Sequence, residues 1–294
     1  MNVISVLGFQ GGAGRTTIAA NLAFALAMHS TFNAKVLLID IDPNMGLTQY
    51  ILGKEFESDY VKHNKLNHDN TGKNLYSFVK DWSEKIQFNN TIIGLLTPNE
   101  EEEKFTPIKI GEKNLFFIPS HPNLLYLNPD NDPYQLISYF KKINEQYDYV
   151  IIDTPSTPSV FVNSAIYASS YYLSVFSPGC DILATISLLN DFYIQNVVNQ
   201  CSDEKIDLGI VINKIKTDNQ FSKIVSSIID PSEKQIIHQL FRSCADIKEY
   251  RLKKQINSKF VFLSLPGDRR KSHTAHRLQS ELIALAEQVT STVL

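Results

Sequence analysis

The sequence predicts an α/β protein: a doubly wound, mostly parallel sheet flanked by helices in three layers. Three observations carry that prediction. Apolar runs without polar alternation recur at residues 3–8, 35–40 (KVLLID), 149–153 (YVIID), 171–176 and 208–213 (LGIVIN). Strands buried on both faces need such continuous runs. Longer helical patterns separate them, and a helix crossing over the sheet is the economical link between parallel strands. A cluster of glycines joins the first run to the first helix. In sheets of this kind, phosphate and cofactor sites lie beyond the carboxyl ends of the strands. The residues that end each run are therefore the candidates for chemistry.

Taken in order, residues 3–8 form the first strand, residues 16–29 the first helix and residues 35–40 the second strand. Residues 53–107 then break the pattern. Their first part, 53–73, is polar and holds His63, His68 and several asparagines, and 99–104 reads NEEEEK. Both stretches read as solvated loops or an insertion. The two histidines lack a carboxylate or cysteine at metal-ligand spacing, which argues against zinc. Strands at 149–153, 171–176 and 208–213 follow, with a weaker candidate at 260–265. The closing segment, 278–294 (LQSELIALAEQVTSTVL), is amphipathic and reads as a helix packed on the sheet. No repeat of about 20–50 residues is evident. One domain spanning 1–294 is expected.

Composition excludes several classes. With 294 residues, 43% hydrophobic and 20% charged, the chain has ordinary globular composition. No run approaches the roughly 18 apolar residues of a membrane span. The opening MNVISVLGFQGG lacks the basic flank and cleavage site of a secretory leader. Cys180, Cys201 and Cys244 are too scattered for a disulfide framework or a close-spaced zinc site, so a cytoplasmic location is expected. A net charge of −3 excludes a globally basic nucleic-acid binder but leaves room for a local patch.

The strongest chemical signal follows the first strand. It reads Gly8-Phe9-Gln10-Gly11-Gly12-Ala13-Gly14-Arg15-Thr16-Thr17, and the helix begins at once. Glycines let the backbone curl until successive N–H groups point inward, and the helix terminus adds its own donors and its positive dipole end. Thr16, directly after the basic residue, places a hydroxyl where it would ligate Mg²⁺. The loop is a phosphate cradle.

This loop resembles the deviant Walker A box of the ParA/MinD ATPases. Three further pieces resemble that family in the same order. Asp40-Ile41-Asp42-Pro43 looks like its Asp-x-Asp-Pro element, and Asp153-Thr154-Pro155-Ser156 like its Walker B and switch II element. Val211-Ile212-Asn213 looks like the late strand whose asparagine reads adenine. The resemblance covers the sheet framework and fades across 53–107 and 217–265. It implies a P-loop NTPase fold with ATP or ADP and Mg²⁺ as cofactors. Gly11, Gly12, Ala13, Gly14, Arg15, Thr16, Thr17 and Asn213 would hold the nucleotide. Asp42 would orient the attacking water, Asp40 would support the Mg²⁺ shell, and Asp153 would hold the ion through water. Asn213-Lys214 is followed by Ile215 and Lys216, so the aspartate that would read guanine is absent. ATP is the expected nucleotide.

Two departures from the family pattern matter. The signature lysine before the paired glycines, which in the family reaches a partner's nucleotide, is Gln10 here. The ordinary loop lysine is Arg15. Glutamine is neutral and cannot stabilise charge developing on a transferring phosphoryl group as a cation would. Arginine keeps its charge but is a broad planar fork, where the loop was shaped around a compact ammonium. Binding is expected to survive, and hydrolysis, with Asp42 and Arg15 as its catalytic candidates, to be slow.

For partners, the resemblance implies an ATP-dependent homodimer, an adaptor or cargo protein, and non-specific DNA engaged through surface cations. Basic residues concentrate late, in Lys214, Lys216, Lys223, Arg251, Lys253, Lys254 and the stretch 269–277. That stretch reads equally as a nucleic-acid patch or as a loop at the nucleotide's edge. With the phosphate loop starting at residue 8, no amino-terminal helix-turn-helix is expected. The closing segment carries no Lys or Arg from 278 to 294, so it does not suit a membrane surface. The functional expectation is a switch in partition or cargo positioning, and the resemblance adds association with the nucleoid. The alternative is a non-hydrolysing regulatory subunit resembling BcsQ of cellulose secretion.

Overall fold

The apolar runs become the middle of an eight-stranded sheet ordered β3-β4-β2-β5-β1-β6-β7-β8. The computed structural model describes residues 1–52, 92, 107–110, 114–121, 124, 135–143, 145–177, 185, 187–201, 203–215, 237–241 and 269–293. The strands are β1 (Asn2–Leu7), β2 (Val36–Asp40), β3 (Ile108–Ile110), β4 (Leu115–Ile118), β5 (Tyr149–Asp153), β6 (Tyr171–Phe176), β7 (Ile206–Ile215) and β8 (Ile237–Phe241). Every pairing is parallel except β3 with β4 at one edge. The helices are α1 (Arg15–Met28), α2 (Gln135–Lys142), α3 (Val160–Ala168) and α5 (Arg269–Val293). Between α3 and β7 lies a π-helical stretch, Ser187–Ile194, that runs into a short α4 (Gln195–Val198).

Successive strand residues feed opposite faces, as the pleat requires. Val36, Leu38, Ile151, Leu173 and Val175 pack with α1 and α5 on one face. Leu37, Ile39, Val150 and Ile152 pack with α2 and Ala165 of α3 on the other. Further along that second face, Leu7, Phe176, Ile210 and Ile212 meet α3 and the π-helical stretch. Helix α1 is buried almost all round, and its run of alanines (Ala19, Ala20, Ala23, Ala25, Ala27) lets its backbone lie close to its neighbours. The three layers match the expectation.

Several boundaries differ from the sequence reading. β7 is longer than the apolar run 208–213, because pairing with β6 and β8 recruits flanking residues. β3, β4 and β8 were not anticipated; they are short and lie on or next to the sheet edges. The basic stretch 269–277 is not a loop but the first turns of α5. It contains no Gly or Pro to halt a helix. The candidate strand at 260–265 and nearly all of 53–107 lie outside the described residues. Among those residues, no helix is long and apolar enough to cross a membrane.

Candidate functional site: a phosphate loop over three buried aspartates

Strands β1, β2, β5, β6 and β7 deliver their carboxyl ends to one edge of the sheet, and all the candidate residues gather there. After Leu7 the chain turns through Gly8–Gly14 into α1. Gly12 (φ 73°) and Gly14 (φ 96°) adopt left-handed backbone that side chains resist. A Cβ on Gly14 would collide with the Asn213 amide, and one on Gly8 would lie 2.5 Å from the Val175 carbonyl oxygen. The loop is pinched shut where Ala13 N donates to Gln10 O at 3.2 Å. Gly14 is the N-cap of α1 and supplies no side-chain cap. The helix therefore brings an uncapped terminus, with its partial positive charge, directly to the loop. Gly11 and Gly12 are exposed and open toward solvent.

Asp40 and Asp153 face each other in register at the ends of β2 and β5, and both are fully buried. Their surroundings differ sharply. Asp40 Oδ1 accepts from Asp42 N at 3.0 Å, and Oδ2 accepts from Thr48 N at 2.8 Å and Thr48 Oγ1 at 2.7 Å. Burial nonetheless pushes its pKa up to about 7, with Thr48 and the Asp42 N–H pulling the other way. Both oxygens of Asp153 are buried with no hydrogen-bond partner. Burial, and then the charge of Asp40, hold Asp153 well above the usual carboxylate range, while Arg15 opposes them. Thr16 is close enough to favour the ionised form slightly, although the pair lacks hydrogen-bond geometry.

Asp42 sits at the head of the turn after β2. Its Oδ1 accepts from Asn44 N and Asn44 Nδ2, each at 2.9 Å, and its own carbonyl accepts from Ser120 Oγ at 2.7 Å. Ser120 N in turn donates to Thr48 Oγ1 at 2.8 Å. Thr48 and Ser120 thus clamp the Asp40–Asp42 turn from two sides. Nothing in the sequence points to Ser120, which lies 78 residues from Asp42. Farther on, the turn carries Gly46 over Thr16, whose Oγ1 would lie 3.8 Å from a Cβ placed there.

Whether Mg²⁺ fits is decided by Asp153. An ionised carboxylate buried without partners is costly, and a hard cation with its water shell supplies the missing partner. Mg²⁺ keeps several waters and takes one or two protein oxygens together with substrate phosphates. The Thr16 hydroxyl beside Asp153 suits that demand. Among the described residues there is no cluster of three or more His, Cys, Asp and Glu groups that could cage a metal, so the ion would depend on phosphate. Asp40, expected to support the ion's shell, already accepts three bonds that hold the turn.

Gln10 and Arg15 both turn back onto the chain. Gln10 Oε1 accepts from Ser177 N, at the end of β6, at 2.9 Å. Arg15 is buried, and its Nη1 donates to Gly8 O and, at 2.9 Å, to Pro155 O. Desolvation lowers its pKa while Asp153 and Asp42 raise it. A guanidinium does not deprotonate in proteins, so burial appears as a cost rather than as neutralisation. Asn213 is fully buried, and its Nδ2 donates to Ala13 O at 2.7 Å. This amide, expected to read adenine, ties β7 to the underside of the loop, in the space left by the missing Cβ of Gly14.

A family model described as an AAA domain matches residues 1–206. The chain belongs to the ParA/MinD family of P-loop ATPases. It is 25% identical to the virulence plasmid ParA family protein pGP5-D of Chlamydia psittaci, over 78% of this chain and 77% of that protein. Its fold resembles a putative plasmid partition protein of Borrelia burgdorferi solved with AMPPNP (TM-score 0.55, 20% identity, 97% of this chain and 98% of that one). It also resembles pNOB8 ParA bound to nonspecific DNA (TM-score 0.61, 19% identity, 99% and 98%).

In this ParA/MinD protein the side chains of the loop serve as anchors. A lysine at position 10 could not accept from Ser177 N, because an ammonium has only donors. Glutamine here is thus an acceptor that anchors the loop to β6. A second unforeseen link runs through Phe9, whose ring packs edge-on to Tyr193 at 4.8 Å. Tyr193 Oη donates to Asn163 Oδ1 on α3. Interleaved aromatics are visible in the sequence, but their partners are not.

Proposed function

We propose that this chain is a nucleotide-operated switch of the partition or cargo-positioning kind, holding ATP or ADP with Mg²⁺ at the Gly8–Thr17 loop. One observation carries the proposal: the uncapped α1 terminus, wrapped by glycines, stands beside a buried and unpartnered Asp153. That combination needs an anion at the loop and a cation at the aspartate, which together describe a Mg²⁺-bound polyphosphate. Gly11, Gly12, Ala13, Gly14, Thr16 and Thr17 would cradle the phosphates. Thr16 would ligate the ion and Asp153 would hold it through water. Asp42, fixed by Asn44 and Ser120, would orient the attacking water. The ion, when bound, neutralises phosphate charge and polarises the scissile bond.

The nucleotide state would be read as assembly. ATP would favour a homodimer, the dimer would engage DNA without sequence preference or an adaptor carrying cargo, and slow hydrolysis would reset it. pNOB8 ParA, of like fold, is bound to nonspecific DNA. A second reading, a non-hydrolysing regulatory subunit bound to a partner complex, draws on Gln10 and Arg15 being committed to internal bonds. Calorimetry with ATP and ADP in Mg²⁺ tests the shared part, and sedimentation with AMPPNP tests the switch. Binding with mass doubling is expected. Absence of nucleotide binding overturns both readings, and binding without any change of mass leaves only the second.

A further inference from the structure

The segment after β5, residues 154–159, leads from Asp153 into α3 and is tied to the phosphate loop at its start. The tie is Arg15. Its Nη1 bridges Gly8 O on the loop and Pro155 O on the segment, so one nitrogen joins the two. We infer that Arg15 is a positioning residue that holds residues 154–159 against the loop, and that nucleotide phosphate competes with that tie for the guanidinium. The inference rests on the nucleotide-switch reading above.

Three observations support the exchange. The tie is poorly satisfied, because Arg15 Nε is buried with no hydrogen-bond partner. A guanidinium with idle donors is better served by a phosphate, which matches its fork and carries full charge. Second, Arg15 is at present the cation acting on Asp153. A divalent ion at Thr16 and Asp153 would compete for that carboxylate and repel the guanidinium. Third, the far end of the segment is a bonded cap whose state can be read. Ser159 caps α3, with Val162 N donating to its Oγ at 3.3 Å and Asn163 N to its carbonyl at 3.1 Å. Loosening Pro155 should fray that cap first.

The test is amide hydrogen exchange at Val162 and Asn163 in the full chain, for the unmodified protein, Arg15→Met and Arg15→Lys. Methionine keeps the packing but has no donor, and lysine keeps the charge on one nitrogen at the end of a shorter stem. Without nucleotide, both amides should exchange about tenfold faster in Arg15→Met, the scale of losing charge-assisted bonds. Arg15→Lys should show a smaller acceleration. With saturating Mg²⁺ and AMPPNP, occupancy being checked by calorimetry, Arg15→Lys and the unmodified protein should exchange alike. Amides of β1 should be unchanged throughout. Equal rates in the nucleotide-free proteins overturn the tie, as does acceleration that spreads equally to β1. A difference between Arg15→Lys and the unmodified protein that persists with AMPPNP bound overturns the exchange. Failure of the unmodified protein to bind nucleotide appears separately in the calorimetry and overturns the switch reading together with the exchange, while the nucleotide-free comparison still reads the tie.

Discussion

Asp40 and Asp153 occupy equivalent positions on neighbouring strands, yet one is saturated with hydrogen bonds and the other has none. The saturated carboxylate sets a pH dependence. Its folded pKa of about 7 lies above its ordinary value of 3.8, so the folded state holds a proton that the unfolded chain has released. Its contribution to stability is therefore full at acid pH and is lost as pH rises through about 7. In Mg²⁺-free buffer the melting temperature of the unmodified protein should fall between about pH 5 and 7.5 more steeply than that of Asp40→Asn. Parallel curves would assign the slope elsewhere. At the loop, Gly12 combines a left-handed φ of 73° with an open face. Gly12→Val should strain the backbone and obstruct its approach to phosphate, and calorimetry should show nucleotide binding abolished while the fold persists.

At the scale of elements, the loop and the turn after β2 have separable duties. The loop carries no compact ammonium: position 10 is a neutral glutamine bonded to Ser177 N, and position 15 is a broad guanidinium that also serves Pro155 O. Removing a well-placed cation from a phosphoryl-transfer site can cost a factor of about 10³ or more. Steady-state phosphate release by the unmodified protein should therefore be very slow. The double variant Gln10→Lys with Arg15→Lys should raise it, since the turn bearing Asp42 remains clamped by Thr48 and Ser120. Adding Asp42→Ala should lower the restored rate with little loss of binding. If the unmodified chain already turns over as fast as the double variant, the substituted loop is not the limit. If Asp42→Ala leaves the restored rate intact, another group orients the water.

For the molecule as a whole, the candidate DNA contact is the start of α5, where Arg269, Arg270 and Lys271 fall within helix. Reversing these three charges should weaken DNA binding of the AMPPNP-bound protein equally across sequences. It should also flatten the salt dependence by about 0.9 log unit per lost phosphate contact. An unchanged slope would place the DNA surface elsewhere. What the sequence determined by itself was the framework: continuous apolar runs admit little but strands buried on both faces, and glycines between strand and helix make a phosphate loop. Local chemistry suffices for both. The destinations of side chains were decided only by the tertiary structure. That Arg15 reaches Pro155 and Ser120 reaches Asp42 depends on partners brought close by strand order. That Asp153 is left without a partner while Asp40 holds the turn follows from the same packing. Spacing along the chain does not encode which carbonyl a buried donor will meet. The parallel crossovers settle that, because they bring seven strand ends to one edge.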